Sequence, residues 1–421
     1  MVADLGFYVE RFGYCDRQID VSPDPDLGLV VVIPCHNEPD LCGSLEALRQ
    51  CTAATRPVEV LVVINESENA CEEIRERNRS TYNEAIAWER DRRPAFKLHL
   101  IRAEPLPKKH AGVGLARKIG MDEAIRRLDE IGRLDEGVII CFDADCRCDR
   151  NYLVEVGRHF SANPNSPACS IRFEHPLEGE LDAEIYDAII DYELHLRYFI
   201  EACRYAGHPH AYHTIGSSMA IRPSVYIDQG GMNRRKAGED FYFLQKIIPL
   251  GGFTELNTTR VIPSPRPSDR VPFGTGRAVG EAISSGKMMQ TYPLEPFLQL
   301  REFIGRFDRV GLVSGSFLIP EPLNAFLERN EFRKAVREID SQTTSEETFG
   351  TRFFRWFDAF RLMKYVHFAR DESFGSPRVG EASERLLQLS GHDGRHETNR
   401  ERLIAYRSIQ GESSYIPPGH W

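Results

Sequence analysis

GLVVVIPCHNE, residues 28–38, decides the reading of the fold. Gly28 to Pro34 is a continuous, β-branched apolar run ended by proline, the pattern of a strand buried on both faces. Similar runs recur at 58–64 (VEVLVVI), 97–101 (KLHLI) and 138–142 (VIICF). Helical spacing lies between them: Leu41, Leu45 and Leu48 after Pro39, then Leu115, Ile119, Ala124, Leu128 and Ile131. Strands alternating with helices predict an α/β fold, with a mainly parallel sheet and helices on both faces. A long amphipathic helix is expected over 181–203 and a further strand over Ser217–Ile221. Residues 263–276, PSPRPSDRVPFGTG, are too rich in Pro, Gly and Ser for a regular element. The expected organisation is therefore an N-terminal extension (1–27), a sheet domain (28–265), a Pro/Gly-rich loop (266–280) and a mostly helical C-terminal region with a polar tail (281–421).

Bulk properties bound the function. The chain has 421 residues, 41% hydrophobic and 28% charged, and a net charge of -10. That charge argues against broad nucleic-acid binding, while a local basic pocket for a phosphate ligand stays compatible. No apolar stretch reaches the roughly 18–20 residues of a membrane span. The N-terminus lacks the basic start and apolar run of a signal peptide. The expectation is a cytoplasmic chain with reduced thiols; its ten cysteines all precede residue 204 and show no even framework.

Ligands of open α/β sheets bind outside the carboxyl ends of the strands. Strand one ends in Pro34-Cys35-His36-Asn37-Glu38, strand two in Asn65-Glu66-Ser67 and strand four in Asp143-Ala144-Asp145. One such loop is ordinary turn chemistry; three acid- and amide-bearing ends at one sheet edge point to a polar ligand and a cation. Asp143 and Asp145 can address one Mg²⁺ or Mn²⁺, an ion that typically bridges a diphosphate. Cys141, Cys146 and Cys148 offer a competing thiolate site, but their spacing is not that of a zinc knuckle and no matched pair follows. Lys108 to Arg117 runs from a loop into a helix, with Gly112 and Gly114 permitting close backbone approach and Arg117 adding positive charge. Glu239-Asp240 opens another helix. Such a pair is either stabilised by the helix dipole or poised to deprotonate a hydroxyl.

In order, VVIPCHNE (31–38), VVINES (62–67), GVGLARKIG (112–120), FDADC (142–146), GSSMAIRP with GGM (216–232) and GED (238–240) resemble the family-2-like glycosyltransferases of the GT-A (Rossmann-like) fold. The resemblance covers roughly residues 28–250. It implies a nucleotide-diphosphate sugar as donor, with Pro34, Asn37 and Glu38 beside base and ribose, and Asn65, Glu66 and Gly112 bordering the nucleotide. Arg117 matches the family's arginine near the nucleotide. Asp143 and Asp145 match the D-x-D that holds Mn²⁺ or Mg²⁺ on the diphosphate. Asp240, with Glu239 beside it as the other catalytic candidate, matches the general base of inverting members.

Two positions depart from the pattern. Asn65-Glu66 stands where members often carry a uracil-binding aspartate, which leaves UDP- and GDP-sugars both open. Lys118 stands where the motif usually has asparagine. Arg266 and Arg270 fall where many members place a segment that closes over the diphosphate. His208, His210 and His213 read as loop histidines, with His213 kept as an acceptor-site candidate. The aromatic, basic stretch Thr351–Arg370 reads as one helix packed on a neighbouring domain, with peripheral contact at the inner face of a membrane as its alternative. The expected partners are the donor and an acceptor hydroxyl on a glycan, a lipid-linked sugar or a small molecule. A catalytically silent sugar-nucleotide-binding scaffold is the second reading.

Overall fold

The computed structural model describes residues 4–270, 274–392, 394–412 and 414–417. Val271, Pro272 and Phe273 of the Pro/Gly-rich loop, and the end of the polar tail, lie outside the described residues. The chain divides into two compact units, one of residues 1–186 with 214–281, the other of 187–213 with 282–421.

The first unit is built on one eight-stranded sheet. Its strands are β1 (Leu29–Cys35), β2 (Val58–Ser67), β3 (Lys97–Leu106), β4 (Val138–Cys141), β5 (Arg147–Cys148), β6 (Ala168–Phe173), β7 (Met219–Ile221) and β8 (Thr254–Ile262). They lie in the order β3-β2-β1-β4-β7-β6-β8-β5. β1 pairs in parallel with β2 and β4, β2 with β3, and β6 with β8; β7 runs antiparallel between β4 and β6. Every residue of β1 is buried, as its unbroken apolar run requires.

Helices cover both faces. On one side α2 (Leu41–Arg49), α3 (Glu72–Arg92) and α5 (Tyr152–Ala162) pack Leu41, Leu45, Ala85 and Tyr152 against the odd-numbered residues of β1. On the other lies α4 (Val113–Glu130), so close that a Cβ on its Gly120 would sit 2.4 Å from Val32 Cγ1. The chain therefore has the expected α/β fold: a mainly parallel sheet, helices on both faces and a large helical C-terminal region.

β2 and β3 run to Ser67 and Leu106, beyond the apolar runs at 58–64 and 97–101, because hydrogen bonding continues where apolarity stops. β5, β6 and β8 were not anticipated. β5 has two residues, and β8 alternates buried Leu256, Thr259 and Val261 with polar residues that break any apolar run.

Strand order reverses at β1 and β4. The chain progresses from β1 outward through β2 and β3, then returns to place β4 on the other side of β1. The loops after β1 and β4 thus diverge at the crevice where ligands of such sheets bind. Asn37-Glu38 and Asp143–Asp145 lie on those two loops.

The N-terminal extension contributes α1 (Leu5–Phe12), capped by Asp4 and tied to α4. Tyr8 and Tyr226 each donate to Asp122 Oδ1 at 2.7 Å, and Lys118 Nζ lies 2.8 Å from Tyr8 Oη and 3.1 Å from Asp122 Oδ2. Lys118, the departure from the motif, is thus spent on docking the extension.

In the second unit the 181–203 helix is observed as α6 (Ala183–Tyr205), which enters this unit at Asp187. The single helix expected over Thr351–Arg370 is two, Glu346–Trp356 and Ala359–Ala369. Asp358 breaks it by capping the second, accepting from the Arg361 N–H. Phe353 and Phe357 are fully buried among Phe303, Phe307 and Phe332 of the same unit, so the aromatic stripe is used in its own core. Among the described residues no helix is long and apolar enough to cross a membrane.

Candidate active site

Arg117, one turn into α4, organises the strand ends. Its side chain is 1% exposed. Nη2 lies 3.1 Å from Asp143 Oδ1 and 3.3 Å from Glu239 Oε1, and Nη1 donates to the Gly216 carbonyl at 2.8 Å. Gly216 N–H in turn donates to Asp240 Oδ2 at 2.8 Å, and Phe241 N–H to Asp240 Oδ1 at 2.7 Å. One guanidinium and the backbone of one residue, Gly216, therefore connect Asp143, Glu239 and Asp240. A Cβ at 216 would stand 2.8 Å from Arg117 Nη2, so any larger residue there would push the guanidinium out of place.

Glu239 and Asp240 are the first residues of α8 (Glu239–Ile247), entered through Gly238 at φ +68°, a conformation that glycine adopts without strain. The buried acids outnumber the cation, and their proton affinities respond. Burial, then the charge of Asp240, pushes Glu239 up to about 7 against the pull of Arg117. Burial also raises Asp240, opposed by Arg117 and the two backbone donors. Arg117 itself is pulled down by burial, but the charges of Asp143 and Glu239 outweigh this and hold it above its ordinary value.

Asp145 faces a different cation. Arg270 Nη2 lies 3.0 Å from Asp145 Oδ2, and burial raises this acid while Arg270 opposes the rise. Asp143 and Asp145 suit a hard divalent ion. Both are oxygen donors, their side chains are 36% and 26% exposed, and each keeps one carboxylate oxygen outside its ion pair. Among the described residues there is no cluster of three or more His, Cys, Asp or Glu that could hold a metal ion.

The remaining predicted residues surround this centre unevenly. Pro34 is within β1, opposite Val63. Asn37 holds φ +48°, and its N–H donates to Asn78 Oδ1 at 3.0 Å. Glu38 is fully buried, and its carboxylate is occupied: Arg266 Nη2 lies 2.9 and 2.8 Å from its two oxygens, and Arg270 Nη1 pairs with Oε2. Asn65 is buried at the end of β2, its Oδ1 without a hydrogen-bond partner. Glu66, also buried, lies 3.8 Å from Arg75. Gly112 caps α4, where a Cβ would sit 2.8 Å from Lys236 Cα; it makes room for the chain leading to Glu239.

Sequence reasoning missed Asn78, which ties the first two strand ends together by also donating to the Asn65 carbonyl at 3.3 Å. It sits on a helix polar nearly all round and carries no local signal. Of the eye-catching cysteines, Cys146 Sγ lies 3.9 Å from Asp145 Oδ1 and Cys141 adjoins Arg117. Burial raises Cys141 to about 11 and also raises Cys146, which keeps both protonated. Cys148 Sγ lies 3.7 Å from Cys51 Sγ. His208, His210 and His213 belong to the second unit, where burial lowers them to about 4, 3 and 3 and leaves them neutral.

This crevice, with its arginine-linked acids, belongs to a recognisable class. Residues 30–229 match the family described as glycosyl transferase family 2, so that part of the chain is similar to the family. No curated protein matches the chain. Similar solved structures include TarS 1–349 of S. aureus in complex with UDP-GlcNAc, at 14% identity and a TM-score of 0.42, covering 82% of this chain and 92% of that one. The mannosyltransferase PcManGT of Pyrobaculum calidifontis, with GDP-Man and Mn²⁺, is 14% identical at a TM-score of 0.34, covering 97% of this chain and 94% of its own. GalNAc-T7 with UDP, GalNAc and Mn²⁺ is 15% identical at a TM-score of 0.37, covering 83% of this chain and 58% of its own.

Proposed function

We propose that this protein transfers a sugar from a UDP- or GDP-sugar to an acceptor hydroxyl, with inversion, using Mn²⁺ or Mg²⁺ at Asp143 and Asp145 and Asp240 as general base. The observation that carries this reading is the Arg117 hub, which bonds Asp143 directly and reaches Asp240 through Gly216. A cation-binding acid and a base tied to one buried arginine, the first directly and the second through Gly216, are held at a defined separation, which a displacement reaction requires.

Asp240 accepts backbone N–H groups on both oxygens, which fixes its orientation. Burial raises its proton affinity above that of a solvated aspartate, so it takes a hydroxyl proton more readily. Glu239 keeps Arg117 in place and, with an affinity near 7, adjusts the charge of the cluster. The bound ion would neutralise the diphosphate as the sugar leaves. Asn65 Oδ1 is a buried acceptor in need of a donor, and an N–H of uracil or guanine satisfies it. All ten cysteines are free, which suits a cytoplasmic, reducing setting.

Hydrolysis of UDP- and GDP-sugars, with water replacing the acceptor, tests the assignment. Asp240→Ala is expected to lose hydrolysis while still binding nucleotide. Unchanged hydrolysis would remove Asp240 from the role of base. A wild-type protein that binds the donor and never turns it over would favour the silent scaffold.

A further inference from the structure

Arg270 holds two carboxylates whose situations differ. Glu38 is fully buried and already bonded through both oxygens by Arg266, with the Asp40 N–H as a further donor at 2.9 Å. Asp145 is a quarter exposed, and Arg270 is its one ion-pair partner among the described residues. If Arg270 departs, Glu38 keeps a bonded countercharge, whereas Asp145 loses its ion pair and keeps only the more distant charge of Arg266. The contact that changes most readily is therefore the one to Asp145.

Asp145 is also a proposed metal ligand. A divalent ion arriving at Asp143 and Asp145 meets a guanidinium already paired with one of those acids, and like charges compete for it. A donor diphosphate brings the negative charge that a displaced guanidinium binds well, through paired N–H donors. Arg266, whose guanidinium bonds Glu38, holds the segment on the sheet while Arg270 turns.

Building on the proposed donor and metal site, we infer that Arg270 is the resident counter-ion of Asp145 in the donor-free protein, and that it exchanges partners on loading. The metal takes Asp145 and Arg270 takes the diphosphate. Metal and donor then bind cooperatively, because each removes what obstructs the other, and the coupling is reciprocal. Arg270 becomes a donor-binding residue, and Glu38 the anchor that positions it.

Mn²⁺ titration followed by the electron paramagnetic resonance signal of the free ion, with and without UDP or GDP, tests the exchange. Without nucleotide, Arg270→Ala is expected to bind Mn²⁺ about fivefold more tightly than wild type, the scale of one partly exposed ion pair. The enhancement of Mn²⁺ binding by nucleotide should shrink in the same variant. Arg266→Ala, which leaves the Arg270–Asp145 pair in place, should raise nucleotide-free Mn²⁺ affinity by less than Arg270→Ala does. Arg270→Gln, which keeps most of the side chain's bulk, should repeat the alanine result if the alanine protein proves unstable. Folded Arg270 variants with Mn²⁺ affinity equal to or below wild type would overturn the exchange, even if wild type binds Mn²⁺ with nucleotide. Failure of every protein to bind Mn²⁺ with either nucleotide would instead remove the metal site, and the exchange with it.

Discussion

Two consecutive residues of α4 carry buried cations into two different environments. Arg117 meets Asp143 and Glu239 directly, with Asp240 one residue away through Gly216, so acids outnumber the cation. Lys118 meets one acid, Asp122, whose Oδ1 also accepts from Tyr8 and Tyr226. Burial lowers the proton affinity of Lys118, but the charge of Asp122 opposes the change and each polar group has a partner. At Arg117 the balance is left open, and the surplus appears as raised affinities at Glu239 and Asp240. A matched cluster fixes structure; a mismatched one stores reactivity.

That contrast can be broken by substitution. The largest effect belongs to Asp240→Asn, which should lower transfer or donor hydrolysis by about 10²–10⁴-fold with nucleotide affinity retained. Arg117→Met should follow, with activity down by about a hundredfold as Asp143 and Glu239 lose their shared partner. Lys118→Met should do the reverse. It leaves a buried carboxylate without its cation, at about 3 kcal/mol of stability in urea unfolding, while donor affinity stays near wild type. If Lys118→Met abolished donor binding without unfolding the protein, the division between the two clusters would be wrong.

The pH dependence follows from the acid surplus. Glu239 ionises near 7 in the folded protein and near 4.5 when unfolded, so between these values the folded state holds the extra proton. Stability should therefore fall as pH rises through that window and level off above it. Glu239→Gln should flatten this slope, measurable as melting temperature against pH. Tyr8→Phe should have the smallest effect, about 2 kcal/mol from the hydroxyl's bonds to Asp122 and Lys118, with no change in kcat.

The central strands were legible because burial on both faces leaves a continuous apolar signature, as in GLVVVIP and VIICF. β3 was legible only in part: it lies at the sheet edge, and Arg102 and Glu104 interrupt its pattern. β8 was not legible, since partial exposure lets polar residues alternate through it. At the candidate site, sequence pointed to Asp143, Asp145, Arg117 and the Glu239–Asp240 pair, but not to the bonds among them. The link through Gly216 joins an arginine side chain to a backbone carbonyl about a hundred residues on in sequence, and no local pattern encodes it. Glu38 was expected beside base and ribose, whereas its carboxylate is bonded to two arginines more than two hundred residues downstream. Lys118 looked like a minor departure, and its role depends on Tyr8 at the far end of the chain.

The most direct test of the account is a thermal-shift comparison of the wild type and Asp143→Asn/Asp145→Asn, with UDP- and GDP-sugars, in the presence and absence of Mn²⁺. Ligand binding to the folded state raises the melting temperature by mass action. The account predicts that one nucleotide sugar raises the melting temperature of the wild type more with Mn²⁺ than without, and that the double variant loses the Mn²⁺-dependent part. A wild type whose melting temperature no nucleotide sugar moves, with or without Mn²⁺, would contradict it.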